Sequence, residues 1–192
     1  MPLDLKEIAR YMRMGRTVPE GALAERVIAL RDKALKTVRP ARTWRRFPIE
    51  GGAIVSGDVR LDIAGTLARH IAGCRAAYLV CGTIGAEFDA FQRRVSAISG
   101  ADALIVQAIG AALIEKLMDS VEDEIRAELA GNETLVERYS PGYGTFPLAA
   151  QRTLLALLDA PIKVGVSLTD TLLMVPSKSV SAIIGVRNQP AQ

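Results

Sequence analysis

The chain has 192 residues, 49% of them hydrophobic and 23% charged, which suits one domain with a substantial core and excludes an intrinsically disordered chain. Lysine and arginine total 24 against 21 acidic residues, and the resulting formal net charge of +3 does not by itself argue for nucleic acid, because phosphate binding depends on clustered charge. Cys74, Cys81 and the single histidine, His70, fall short of a disulfide framework or a zinc site of about four ligands, so a reducing, cytoplasmic setting is expected and no metal site.

The start, MPLDLKEIARYMRMG, has early acids and no continuous apolar stretch, so no signal peptide is expected. Residues 3–14 and 20–37 read as amphipathic helices; in the second, Leu23, Val27, Leu30 and Leu35 recur at near-helical spacing, and Pro40 ends the run. Between 43 and 61, Pro48, Gly51, Gly52 and Gly57 punctuate short segments such as AIVS and VRL, which predicts strands and turns. A short helix over about 62–72 closes at Gly73, and RAAYLVCGTIG then reads as a buried strand entering a glycine turn.

Helical spacing resumes over 86–98 through Phe88, Phe91, Val95 and Ile98. From Ala101 to about Ala130 the helix signal is strongest: Leu113, Leu117, Val121, Ile125 and Leu129 repeat every four residues, and Asp119 to Glu128 form a wet side. Its apolar stretch from Ala103 to Ile114 is broken by Gln107 and falls short of the about 20 residues a bilayer span takes, so a soluble protein is expected. One more helix is predicted over about 147–159, then two strands, VGVSLTDTLLMVP and SVSAIIGV, joined by a turn at Pro176-Ser177-Lys178.

The most informative segment is Arg138-Tyr139-Ser140-Pro141-Gly142-Tyr143-Gly144. Pro141 presets φ for a turn and Gly142 can take the positive φ of a type II turn's third position. Arg138 offers a planar fork to a carboxylate or phosphate, and the two tyrosines offer flat faces with polar tips. That set suits a ligand with a carboxylate and an aromatic base, although the same residues also make an ordinary structural turn with half-buried tyrosines.

RYSPGYGTFPLAAQ followed by IKVGVSLTDTLLMVPSKSVSAIIGV resembles the reactivation (activation) domain of cobalamin-dependent methionine synthase. The family's R-x-x-x-G-Y segment is matched by Arg138, Gly142 and Tyr143; its G-x-x-L-T-x-S-x-x-M-x-P strand by Gly165, Leu168, Thr169, Met174 and Pro176; its S-V-S by Ser179, Val180 and Ser181. The clear match runs over about 135–186, with a weaker one over about 60–130. The resemblance implies an α+β fold with a twisted, mainly antiparallel sheet packed with helices around one long central helix, in a single domain over 1–192 made of an N-terminal helical segment, 1–40, and a core, 41–192.

It further implies a stand-alone methyltransferase component that assists reductive methylation of a cobalamin (corrinoid) cofactor. That cofactor is carried by a partner methyltransferase, with S-adenosylmethionine as donor and a flavodoxin-type protein as reductant. Arg138 is then expected to hold the methionine carboxylate, with Ser140, Gly142 and Tyr143 lining the same cleft and Glu115 near the corrinoid. No catalytic residue is assigned.

The chain departs from the family in lacking a D-W-x-P-F-F segment, its only tryptophan being Trp44, and in carrying Ala111 where a second acid stands one turn before Glu115. It also stops at Gln192, short of a tyrosine-bearing stretch that touches the ligand in the family's long form. These departures support a rival reading, a non-catalytic module that docks a corrinoid protein and has lost S-adenosylmethionine binding. A third reading places an unrelated anionic metabolite in the cleft.

His70 sits in ARHIAG with Ala68 where a D-x-H-x-x-G signature has its aspartate, so it reads as a helix-surface histidine. GTIGAE could present amides to an anion, or serve close strand-to-helix packing. The basic cluster of Arg31, Lys33, Lys36, Arg39, Arg42, Arg45 and Arg46 reads either as a docking surface for an acidic partner or as a solvated face. Surfaces left uncovered by a shortened domain make a homodimer a further expectation.

Overall fold

The computed structural model describes residues 3–14 and 17–188; part of the N-terminal segment and the last four residues lie outside them. Two helices open the chain, α1 (Leu5–Tyr11) and α2 (Gly21–Leu35). Asp4 and Glu7 close a capping box on α1, each side chain accepting the other residue's amide. A three-stranded meander follows, β1 (Ala41–Glu50), β2 (Ala53–Ser56) and β3 (Val59–Asp62), then α3 (Gly65–His70), β4 (Ala76–Thr83) and α4 (Ala86–Ser96). The long helix α5 (Gly100–Glu128) starts on a Ser99 cap whose hydroxyl accepts from the Asp102 amide. After it come β5 (Glu133–Leu135), α6 (Ala150–Leu157), α7 (Ala160–Lys163), a small hairpin of β6 (Ser167–Leu168) and β7 (Met174–Val175), and β8 (Ser179–Asn188).

Six strands form one sheet in the order β3-β2-β1-β4-β8-β5, with every neighbouring pair antiparallel. β4 lies inside it, paired along its length with β1 and β8, and residues 77–83 are buried on both faces. That is why AAYLVCGT reads as a continuous apolar run instead of alternating. Successive side chains point to opposite faces. Ala77, Leu79 and Cys81 join Phe47, Leu67, Phe146, Leu154 and Ile183 under α3, α6 and α7. Tyr78 and Val80 join Ala182, Ile184 and Val186 under the C-terminal half of α5, at Met118, Val121 and Ile125.

The N-terminal half of α5 extends past the sheet and is packed by α1, α2 and α4 around Ile8, Val27, Leu30, Phe88, Ile105 and Ile109. Being covered by three helices explains why that half is apolar nearly all round. Two glycines let it approach its neighbours. A Cβ on Gly110 would lie 2.6 Å from the Phe88 ring, and one on Gly82 would lie 2.7 Å from the Met118 sulfur. Burial also pushes the Cys81 thiol up to about 12, so it acts as a small apolar side chain. Among the described residues no helix is long and apolar enough to cross a membrane.

The α+β reading and the long helix agree with the structure, but the segment 164–176 does not form one strand. It folds into the β6–β7 hairpin, because the Thr169 hydroxyl accepts the Leu173 amide at 3.0 Å and Leu172 takes a left-handed φ of 67°. Side-chain-to-backbone bonding of this kind competes with ladder formation. AIVS and VRL fall in β2 and β3 as expected, β1 precedes them as a longer strand of ten residues, and β5 is an edge strand with no alternation to betray it.

Candidate functional site

Residues 133–139 run along β8. β5 pairs over Glu133–Leu135, the Val136 amide donates to the Gly185 carbonyl at 2.8 Å, and Tyr139 and Ile183 exchange two bonds of 2.9 Å. Alternation along this stretch sends Arg138 toward α5 and Tyr139 toward the opposite face, against Phe146 and His70. The chain then turns. The Tyr143 amide donates to the Ser140 carbonyl at 3.3 Å, with Gly142 at φ 92°, as a type II turn requires. A second turn follows, closed by Phe146 N–H to the Tyr143 carbonyl at 3.0 Å with Gly144 at φ 53°.

This loop is seated on the start of α3. The Thr66 hydroxyl donates to the Tyr143 carbonyl at 3.3 Å, accepts the Thr145 amide at 3.2 Å and accepts the Tyr139 hydroxyl. The Thr66 amide in turn donates to the Thr145 hydroxyl at 3.1 Å. Gly65 and Gly144 permit the contact, since a Cβ on either would lie 2.5 Å from Thr145 or Thr66 respectively.

A cleft of about 580 Å³ opens beside the loop, lined by Glu115, Arg138, Ser140 and Tyr143 together with His70 and Tyr139. Four of the five residues singled out from the sequence thus share one cavity of ligand-binding size. Gly142 shapes the turn from outside that lining, facing Leu148, and Gly144 borders the cleft instead. Tyr143 is 64% exposed, a free aromatic face at the mouth. His70 donates from Nε2 to the Glu137 carbonyl at 2.7 Å, and its ring lies 4.7 Å from that of Tyr139 at a tilt of 40°.

Arg138 is held by α5. Its Nη2 meets Glu115 and Asp119, each at 3.0 Å, and its Nε meets Glu122 at 3.0 Å. Positions 115, 119 and 122 fall on one helical face, and that spacing is the signal by which the two acids taken as part of a wet side could have been found. Glu122 also pairs with Arg126 at 2.8 Å. Tyr11 of α1 approaches the same cluster; burial first and Glu115 second raise its phenol above the usual range. A ligand carboxylate reaching Arg138 would exchange with Glu115 or Asp119, which are 43% and 70% exposed, while Glu122 at 14% stays in place.

The basic cluster is divided by the fold. Arg31 pairs with Asp32, Arg42 with Glu124 and Arg46 with Glu133; Arg45 lies 4.2 Å over the Phe47 ring, and Arg39 donates to backbone carbonyls. GTIGAE serves close packing: a Cβ on Gly85 would lie 2.9 Å from Arg39. Among the described residues no cluster of His, Cys, Asp or Glu is arranged to hold a metal ion.

An antiparallel sheet crossed by one long helix, with a cleft between that helix and a PGYG loop, defines a class of small α+β domains. The profile of the activation domain of vitamin B12-dependent methionine synthase matches residues 75–191, and the chain belongs to that family. Among solved structures, the chain is similar to a crystal structure of the MetH reactivation domain bound to AdoHcy, at 18% identity and a TM-score of 0.59, over 90% of this chain and 69% of that one. No curated protein sequence matches the chain.

Proposed function

We propose that the cleft at Arg138, Ser140 and Tyr143 binds S-adenosylmethionine, and that the protein assists reductive methylation of a corrinoid on a partner methyltransferase. The observation that carries this reading is the convergence of those residues and Glu115 in one cavity, in a chain of the methionine synthase activation family. The structural neighbour's AdoHcy complex supports a ligand of that chemistry. S-adenosylmethionine supplies an electrophilic methyl group, and the corrinoid supplies the acceptor.

This chain's own contribution is binding and orientation. Arg138 takes the carboxylate in exchange for Glu115 or Asp119, the Tyr143 ring faces the adenine, and the Thr66 anchor holds the loop rigid. Holding two reactants in line replaces a bimolecular encounter and removes much of its entropic barrier. Glu115, freed from Arg138, then faces the corrinoid side. A flavodoxin-type protein as reductant and a role in trans complete the reading.

The anchoring of Arg138 by three carboxylates favours a second reading, a module that docks a corrinoid protein without the donor. Calorimetric titration with S-adenosylmethionine, beside Arg138→Ala, separates the two. Saturable heat lost in the variant supports donor binding; no heat from either folded protein rejects it and leaves docking.

A further inference from the structure

We infer that the groove between α2, α4 and the first turn of α5 is a docking surface for an acidic amphipathic helix of a protein partner. The groove has a volume of about 310 Å³, and Leu30, Phe91 and Val95 form its apolar floor. Ile98, in the link between α4 and α5, borders it at 87% exposure. A single exposed aliphatic residue is unremarkable on a soluble surface, but an exposed one at the lip of an apolar depression marks a contact surface.

The charges at the rim specify the partner. Arg26 and Lys33 are two helical turns apart on one face of α2, and Arg94 borders the groove from α4. Asp102 is the single acid in the lining, and it is forked to Arg26, with Nε to Oδ1 at 2.8 Å and a second bond from Nη2 to Oδ2. That fork holds the Arg26 guanidinium in place beside the start of α5. Lys33 and Arg94 have no ion-pair partner among the described residues, in contrast to Arg31, Arg42 and Arg46. The rim therefore keeps a net positive charge that nothing in the described fold neutralises.

The walls are helices, and no open strand edge lines the groove, so strand addition is not the mode of binding. Nucleic acid is disfavoured because the one aromatic side chain, Phe91, is only 8% exposed and offers no stacking face. What fits is a helix that inserts one or two large apolar side chains at i and i+4 and carries carboxylates on either side of them. The groove lining shares no residue with the Arg138 cleft, so this inference does not depend on donor binding.

The test is fluorescence anisotropy of the full chain with a labelled, stabilised helical peptide bearing leucines at i and i+4 flanked by glutamates. A second peptide has every glutamate replaced by lysine. The glutamate peptide is expected to bind at least about tenfold more tightly, with an affinity that falls as salt is raised. Lys33→Glu with Arg94→Glu should invert the preference, and Ile98→Asp should weaken the glutamate peptide. All three positions are at the surface, and circular dichroism melts check that the variants fold. The proposal is overturned if neither peptide binds, if both bind equally, or if the double reversal leaves the preference unchanged. Binding to phosphatidylcholine vesicles containing phosphatidylserine, without peptide binding, also overturns it and assigns the surface to lipid headgroups.

Discussion

Arg138 and Glu122 meet at 3.0 Å with side chains only 18% and 14% exposed, so the loop beside β8 is tied to the long helix by a largely buried ion pair. Glu115 and Asp119 complete a ladder along the same face. Removing the cation would leave these carboxylates facing one another, with Glu122 the least able to reach water. Arg138→Ala is expected to lower stability by about 1–3 kcal/mol in urea unfolding. Arg138→Lys keeps the charge but cannot fork to several acids at once, so it should recover only part of the loss. An unchanged midpoint for the alanine variant would show that the ladder has no structural role.

The loop's other anchor is steric as well as polar. Gly65 and Gly57 both have positive φ, 59° and 56°, but a Cβ on Gly65 would lie 2.5 Å from the Thr145 carbonyl oxygen and one on Gly57 would meet nothing within 4 Å. Both alanine variants bear the left-handed penalty of about 1–2 kcal/mol. Gly65→Ala adds a backbone clash and should lose a further ~1–3 kcal/mol. Amide exchange at Thr66 and Thr145 should quicken in Gly65→Ala alone. Equal stability of the two variants would refute this account.

Glycine inside a helix normally invites replacement by alanine, with a gain of up to about 1 kcal/mol. Gly100, the first residue of α5, has nothing within 4 Å of the Cβ position and should follow that rule in sign, with a smaller gain than an interior position gives. Gly110 should not: its Cβ would meet Phe88 at 2.6 Å and the Lys178 chain at 2.8 Å. Overpacking outweighs propensity there, and Gly110→Ala is expected to destabilise by about 1–3 kcal/mol. Thermal melts of the pair check the contrast in sign.

Two carboxylates make stability sensitive to acid. Hydrogen bonds from Arg26 hold Asp102 below the usual carboxyl range, and those from Arg46 do the same for Glu133. In the unfolded chain they titrate near about 3.9 and 4.3. Their contribution is therefore complete above those values and is lost as pH falls through the lower folded ones, where the unfolded state binds more protons. Urea midpoints between neutral pH and strong acid should fall less steeply for Asp102→Asn with Glu133→Gln than for the natural chain. Parallel slopes would show that other groups govern the acid limb.

Hydrophobic spacing made α2, α4 and α5 legible, because each has one or more faces repeating at helical period against its neighbours. The PGYG turn was equally readable, since proline and glycine impose backbone angles wherever they stand. The short strands β5, β6 and β7 were not legible, as each is only two or three residues long and is defined by its partner and not by its own pattern.

By itself the sequence determined the longer elements, the turn chemistry and the family, all of which depend on residues close together in the chain or on their order. Tertiary structure decided what the charges do. Arg138 faces α5 because residues 133–139 take the register of β8, and Asp119 and Glu122 become its partners only when helix and strand are packed together. The same packing pairs two members of the basic cluster, Arg42 and Arg46, with acids distant in sequence, Glu124 and Glu133, and leaves Lys33 and Arg94 at a groove that no local pattern announces. An ion pair depends on distance in space and burial, and neither is written in the local order of residues.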